Sequence, residues 1–303
     1  MKFSIWPNPE RPPAEVLDLA RFADAEGWHC LWYADHYMPN SGSEDVLPGD
    51  VHECWAILPA IAAVTERIRI GSLVAPTSIH HPAVLANRAA TIDRISNGRM
   101  VLGIGAGWQI NEHQAYGIDL EEPATRVSRF EEAIQVIRSL LNEDTTDFHG
   151  DFYDITDAPA NPKPVQSPLP ILVGTGSPRM LRITATHADE WNTWGAPEMA
   201  GGALDKFHVA CEQVQRDPAT IWKSTQALVF MSDDADLAAN IKGGDMGPRS
   251  IIGSNAQLVD EIGTYVELGF DELIIPDFTL GATPEERVDN YRLLQADVIA
   301  QLA

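Results

Sequence analysis

The sequence predicts an α/β protein whose parallel strands close into one (β/α)8 barrel. Three observations carry that expectation. Short apolar runs alternate with amphipathic stretches almost from end to end, the pattern of parallel strands joined by right-handed helical crossovers. The runs number eight, which is the number that closes a barrel. The chain has 303 residues, enough for one such barrel with insertions, and no low-complexity stretch or charge run marks a linker. Residues 1–303 therefore read as one domain.

Taken in order, the first strand is Lys2–Trp6 and the first helical pattern Ala14–Glu26, stopped by Gly27. Cys30–Ala34 precedes helix Glu53–Glu66, Ile68–Ala75 precedes Ala83–Ser96, and Met100–Ala106 precedes Ala124–Leu141. Pro170–Gly174 leads to Pro178–Thr186, where a proline just after Ser177 suits a first helical turn. Glu190–Trp194 precedes Glu198–Gln215, and Ser224–Met231 precedes Asn255–Leu268, stopped by Gly269. Glu272–Pro276 leads to Pro284–Leu302, opened by the cap and acidic first turn Thr283-Pro284-Glu285-Glu286. The strands are short and mostly apolar, as strands buried on both faces should be. Two segments exceed the plain repeat, Asn142–Ser167 and Ser232–Ser254. Loops of that length are often lids or binding loops.

Composition excludes several classes. Lys and Arg number 21 against 44 Asp and Glu, a formal charge of −23. A nucleic-acid binder needs a basic stripe to displace counterions, and none is present. The same acidity argues against an anionic membrane surface. No apolar run reaches the roughly 18 residues of a membrane span, and Pro7 interrupts the N-terminus before a secretory core could form. The three cysteines, Cys30, Cys54 and Cys211, are odd in number and lack metal-site spacing. The expectation is a reduced, cytoplasmic protein that acts on a small molecule, with no nucleic-acid, membrane or metal partner.

In a barrel the chemistry lies at the carboxyl ends of the strands. The second strand ends in Trp32-Tyr33-Ala34-Asp35-His36-Tyr37, where a carboxylate beside an imidazole can orient and tune it; a solvated strand-end pair reads the same way. The third ends in Gly71-Ser72-Leu73-Val74-Ala75-Pro76-Thr77, small and hydroxyl residues that let a flat ligand, or only a turn, approach the backbone. His80 and His81 just beyond point opposite ways on extended chain, which does not make a metal site. The fourth runs Gly103-Ile104-Gly105-Ala106-Gly107-Trp108. A dinucleotide fingerprint would need glycine where Trp108 stands, and would lie at a first strand–helix turn. The fifth ends in Val173-Gly174-Thr175-Gly176-Ser177-Pro178-Arg179, where free N–H groups, a helix N-terminus and a nearby arginine suit an anion cradle; an ordinary left-handed turn reads the same way. There is no G-x-S-x-G elbow, and the first strand ends Trp6-Pro7-Asn8-Pro9 without a ligand pair. Trp108, Trp191 and Trp194 stand near strand ends as candidates for a flat aromatic pocket, with core packing the other reading of Trp191.

Together these stretches resemble the luciferase-like monooxygenase family, and within it the branch that uses the deazaflavin coenzyme F420. The matching residues are Gly27-Trp28 through Asp35-His36-Tyr37, Ile70–Thr77 with His81-Pro82, and Ile95–Trp108 with Glu112-His113 and Tyr116-Gly117. Further along come Pro162–Gln166, Ile171–Gly176 with Ala188–Asn192, Ile252–Ser254 and Gly269–Glu272. The resemblance implies a TIM barrel with the cofactor ring across the strand ends. A bulge at Ser72, Leu73 and Val74, often with a non-prolyl cis peptide, would back the ring, with Thr77 beyond it. Gly174, Thr175, Gly176 and Ser177 would hold the cofactor phosphate. Asp35 and His36 would lie at the active-site mouth and Gly107 near the ring, with Trp108 and Trp6 as substrate-pocket walls.

Two departures qualify this. Sugar-phosphate dehydrogenases of the branch carry a proton-donating Glu directly after the fourth-strand glycine, where this chain has Trp108, followed by Gln109. Their basic phosphate clamp also has no counterpart in a chain with five lysines, so a sugar phosphate is not the implied substrate. The expected activity is hydride transfer between the deazaflavin C5 and a small organic substrate, with His36 supplying or accepting the accompanying proton and Asp35 biasing its charge or orientation. The resemblance also suggests a homodimer. The alternatives are an FMN monooxygenase, using reduced cofactor and O2 on the same fold, and a non-catalytic cofactor-binding barrel.

Overall fold

The eight apolar runs become eight parallel barrel strands in the computed structural model, which describes residues 1–302. They are β1 (Lys2–Trp6), β2 (Cys30–Tyr33), β3 (Arg69–Ser72, resuming over Ala75–Pro76) and β4 (Met100–Gly105), then β5 (Ile171–Gly174), β6 (Glu190–Trp194), β7 (Trp222–Gln226) and β8 (Glu272–Pro276). Each pairs with the next in sequence. β8 returns beside β1 in the register Lys2↔Glu272 to Trp6↔Pro276, which closes the ring.

The crossovers carry α1 (Pro13–Glu26), α2 (Cys54–Val64), α3 (Pro82–Ser96), α4 (Ile110–Ala115) and α5 (Pro123–Asn142). They continue with α6 (Pro178–His187), α7 (Pro197–Gln213), α8 (Ala235–Gly243), α9 (Asn255–Leu268) and α10 (Pro284–Asp297). The sequence places the starts of four of these one residue late. Pro13, Pro82, Pro123 and Pro197 belong to the first turn, where a missing N–H leaves no bond unmade. Gly27 (φ 78°) and Gly269 (φ 87°) end α1 and α9 in the left-handed region, and Thr283 opens α10 with a reciprocal capping box through Glu286.

Two expected strands prove to be divided. The third breaks at Leu73–Val74, a cis peptide. The seventh ends at Gln226, and Leu228–Met231 leaves the barrel to pair in parallel with Ser250–Gly253, inside the second insertion. The other insertion folds as an antiparallel hairpin, Thr146–His149 with Asp154–Ala158. The last helical pattern stops at Asp297 and finishes in a short 3-10 turn, Ile299–Gln301.

Alternate residues of each strand face opposite ways, so the barrel has two apolar layers. The outer layer joins strand side chains such as Ile5, Ile70 and Ile104 to the helices. The inner one fills the lumen with Trp6, Cys30, Trp32, Ala34, Leu73, Val101, Leu172 and Ile274. Trp32 occupies the space beside Gly71, where a Cβ would come within 2.4 Å of its ring. At the amino-terminal end the lumen is ionic. Glu272 accepts from Trp32 Nε1 (2.8 Å) and Trp222 Nε1 (2.9 Å), and Arg69 pairs with Glu190. The carboxyl-terminal end is left open to carry a site. Among the described residues no helix is long and apolar enough to cross a membrane.

Candidate active site

The floor of the site is built by the interruption of β3. Ser72 Oγ donates to the Gly103 carbonyl (2.8 Å) and accepts from the Gly103 N–H (3.1 Å), which pins the bulge to β4. A Cβ on residue 103 would lie 1.9 Å from the Ser72 carbonyl oxygen, so only glycine permits this approach. Beyond Ser72, Leu73 turns into the lumen and Val74 spreads over the strand ends. Cβ atoms on Gly105 and Gly174 would stand 2.9 Å and 3.2 Å from the Val74 methyls. The chain is then refastened by Thr77, whose N–H donates to the Gly105 carbonyl (2.8 Å). The result is a floor with almost no protruding side chain.

Over this floor lies a cleft of about 280 Å³ at the carboxyl ends of β3, β4 and β5. His36, Val74, Gly107, Trp108, Gly174, Thr175 and Ser177, all singled out by the sequence, line it. Gly107 takes φ 92°, and a Cβ there would strike Ser78 Oγ at 2.0 Å. Trp108 is 56% exposed and meets the His36 ring edge-on at 5.6 Å. The remaining candidates lie outside the lining. Ser72 and Thr77 are buried in the bonds just described, and Leu73 packs in the lumen. Trp6 also turns inward, packing on Trp194 at 5.5 Å and Phe278 at 5.2 Å. Gly176 belongs to the β5–α6 turn but faces open space.

Asp35 does not meet His36. The two follow each other on extended chain and point opposite ways. Asp35 runs into the protein, where its Oδ2 accepts from Trp55 Nε1 (2.8 Å) and lies 2.8 Å from His80 Nε2. Arg88 Nη1 approaches the other His80 nitrogen at 3.3 Å. An arginine only donates, so His80 Nδ1 accepts and its Nε2–H points at Asp35. Burial in this region also pushes the Tyr37 phenol above its ordinary value. His81 turns the other way, and its Nδ1 accepts from the Ala83 N–H as a cap on α3.

The carboxylate at His36 is Glu112. Its Oε1 lies 3.0 Å from His36 Nδ1, and its Oε2 accepts the Tyr37 N–H at 2.8 Å. Glu112 sits on α4, a six-residue helix whose Asn111, Glu112 and His113 are all buried. Charged and amide side chains buried together on so short a segment need partners; their burial is not visible in the sequence, where Glu112 and His113 stand out only among the family-matching residues and Asn111 not at all.

At the other end of the cleft, Thr175 and Ser177 bring hydroxyls to the first turn of α6, whose leading N–H groups have no intrahelical partner. The arginine adjacent in sequence is not the cation here. Arg179 reaches Glu131 Oε2 (2.8 Å) and the Ala124 carbonyl (3.3 Å) on α5. Arg126, which the sequence reading passed over, lines the cleft instead and donates to the Gly107 carbonyl at 3.2 Å.

Known proteins resemble this chain in sequence and in fold. The family model described as luciferase-like monooxygenase matches residues 1–241. The chain is 34% identical over 182 residues to an F420-dependent glucose-6-phosphate dehydrogenase of Amycolatopsis mediterranei, a match covering 58% of this chain and 52% of that protein. It thus spans about half the length of that relative. A protein of the same description from Nakamurella multipartita is 31% identical over 297 residues, covering 86% of each chain. Among solved structures, the coenzyme F420-dependent tetrahydromethanopterin reductase of Methanopyrus kandleri superposes with a TM-score of 0.82 at 17% identity, over 100% of this chain and 99% of that one; it shares the fold. With four-fifths of its length matched by the family model, and the interrupted third strand and strand-end cleft in place, the chain belongs to the luciferase-like monooxygenase family.

Proposed function

We propose that the protein is a deazaflavin-dependent oxidoreductase that moves a hydride between coenzyme F420 and a small, flat or apolar organic substrate. The observation that carries this reading is one cleft with an imidazole, His36, at one end, a glycine-lined floor in the middle and, at the other, a turn of hydroxyls and first-turn amides that suits an anion. The residues present suit the cofactor. Val74 over Gly105 and Gly174 leaves room for a flat tricyclic ring. Thr175, Ser177, the first-turn amides of α6 and Arg126 suit a phosphate. When bound, the deazaflavin supplies the carbon that carries the hydride. The chain's own part is to hold and orient the ring, exclude water and manage one proton at His36.

Trp108 walls the mouth beside His36 and favours an aromatic or apolar substrate over a sugar. The relatives described as glucose-6-phosphate dehydrogenases support the cofactor, whereas their substrate is not carried over. Arg126 is the one arginine or lysine in the cleft lining, and it already donates to the Gly107 carbonyl.

Two measurements test this. Titration of the apo-protein by tryptophan fluorescence should give a deazaflavin Kd at least tenfold below that of FMN, a difference of about 1.4 kcal/mol. Tighter FMN binding with O2-dependent turnover would convert the assignment to a flavin monooxygenase. His36→Ala should lower kcat by about 10²–10⁴ while cofactor Kd changes far less. Collapse of affinity with kcat preserved at saturation would reduce His36 to a binding residue.

A further inference from the structure

We infer that Glu112 is a positioning residue that sets the tautomer of His36, so that the imidazole presents an unprotonated Nε2 to the cleft. This rests on the reading of His36 as the proton-handling group, and it assigns the chemistry that the sequence had placed on Asp35.

The argument begins with burial. Gln109, Asn111, Glu112 and His113 are each 0–1% exposed, and each is committed to a loop. Gln109 Nε2 donates to the Met38 carbonyl (2.9 Å), and Asn111 Nδ2 donates to the carbonyls of Pro39 (2.9 Å) and Asp45 (3.2 Å). His113 faces Ser78 Oγ (2.9 Å) and the Gln109 carbonyl (2.7 Å). α4 thereby fastens the segment after β2 to the segment after β3, and Glu112 is the member that touches His36.

A carboxylate only accepts hydrogen bonds. With Oε2 taken by the Tyr37 N–H and Oε1 at 3.0 Å from His36 Nδ1, the hydrogen of that contact belongs to Nδ1. A neutral imidazole carries one N–H, so its Nε2 is then a lone pair. Nε2 has no protein partner among the described residues, and His36 lines the cleft. Among those residues no lysine or arginine pairs with Glu112, so the His36 ring and the Tyr37 N–H are the donors its carboxylate meets. Trp108, edge-on at 84° to the His36 ring, packs beside the imidazole. The imidazole is held as a ready acceptor that becomes a donor once it has taken a proton.

Glu112→Gln tests this, because the amide keeps the shape and both neighbours. Its oxygen can still accept the Tyr37 N–H, and its NH2 then faces His36 Nδ1 and donates to it. Nδ1 is forced to accept, and the imidazole hydrogen moves to Nε2. The loop keeps its Gln109 and Asn111 ties, and the Tyr37 amide shift reports whether it stays in place. Long-range 15N–1H spectra of histidine-labelled apo-protein, in alkaline buffer with the ring neutral and with His36→Ala to identify the signal, should show Nδ1–H in the wild type and Nε2–H in Glu112→Gln. In turnover, kcat should fall at least about tenfold with deazaflavin Kd held within about twofold.

An Nε2–H signal in the wild type would overturn the proposal without any variant being needed, and so would a tautomer unchanged in Glu112→Gln. An inverted tautomer with unchanged kcat would overturn the positioning role. Failure of the underlying reading looks different: His36→Ala would then turn over normally whatever the tautomer.

Discussion

Gly103 and Gly176 are the same residue type held for opposite reasons. A Cβ at 103 meets the Ser72 carbonyl at 1.9 Å, whereas nothing lies within 4 Å of one at 176, whose φ is outside the left-handed region. Gly103→Ala must therefore push the β3 interruption away from β4, at a cost of about 3 kcal/mol, read as a lower urea midpoint. Gly176→Asp should leave that midpoint unchanged while weakening cofactor binding in a fluorescence titration, since its carboxylate would oppose a phosphate at the turn. Asp35 makes a third case. Its carboxylate satisfies Trp55 and His80 in the interior, so Asp35→Ala strands both donors and should destabilise the fold by about 1–3 kcal/mol for each. A stable Asp35→Ala protein with altered His36 chemistry would contradict that assignment.

Among the elements, α4 governs most for its size. Six residues long, it makes too few helical bonds to stand alone, and its order comes from side chains that bond loops on either side. Asn111→Ala removes the ties to the Pro39 and Asp45 carbonyls. Global stability should fall by only about 1–2 kcal/mol, while amide exchange over residues 38–46 speeds up well beyond the rest of the chain. Uniform acceleration across the barrel would show instead that α4 belongs to the global folding unit. The turn of the 146–158 hairpin is tied to α5 by one carboxylate: Glu132 accepts the N–H groups of Asp151 (2.8 Å), Phe152 (2.9 Å) and Tyr153 (3.2 Å).

For the whole molecule, acid sensitivity follows from two half-buried histidines. Burial, with Arg69 and Lys2 adding to it, holds His29 below the ordinary value of 6.5, and burial does the same for His187. As pH falls through about 6.5 the unfolded chain takes up these protons first, so stability is lost from there downward. Glu190, pushed up by burial despite Arg69, acts in the opposite sense, and protonation favours the fold there. The melting temperature of the wild type should fall between pH 7 and pH 5, and that of a His29→Gln, His187→Gln double variant should fall less. Parallel curves for the two proteins would place the acid-labile groups elsewhere.

Barrel, crossovers and glycine-rich strand ends were legible because each rests on local rules: apolar period, proline in first turns, glycine where backbones meet or φ turns positive. Lys2–Trp6, Glu190–Trp194, Asn255–Leu268 and Glu272–Pro276 have the bounds read from the sequence. What the tertiary structure alone decided is who faces whom. His36 takes its carboxylate from Glu112, 76 residues away, rather than from Asp35 beside it. Trp6 is drawn into the lumen by Trp194 and Phe278, and Arg126 replaces Arg179 as the cation of the cleft. Neighbours on an extended strand diverge, while residues far apart converge when strand ends close into a ring. Periodicity along the chain therefore specified the scaffold, and apposition across the barrel mouth specified the chemistry.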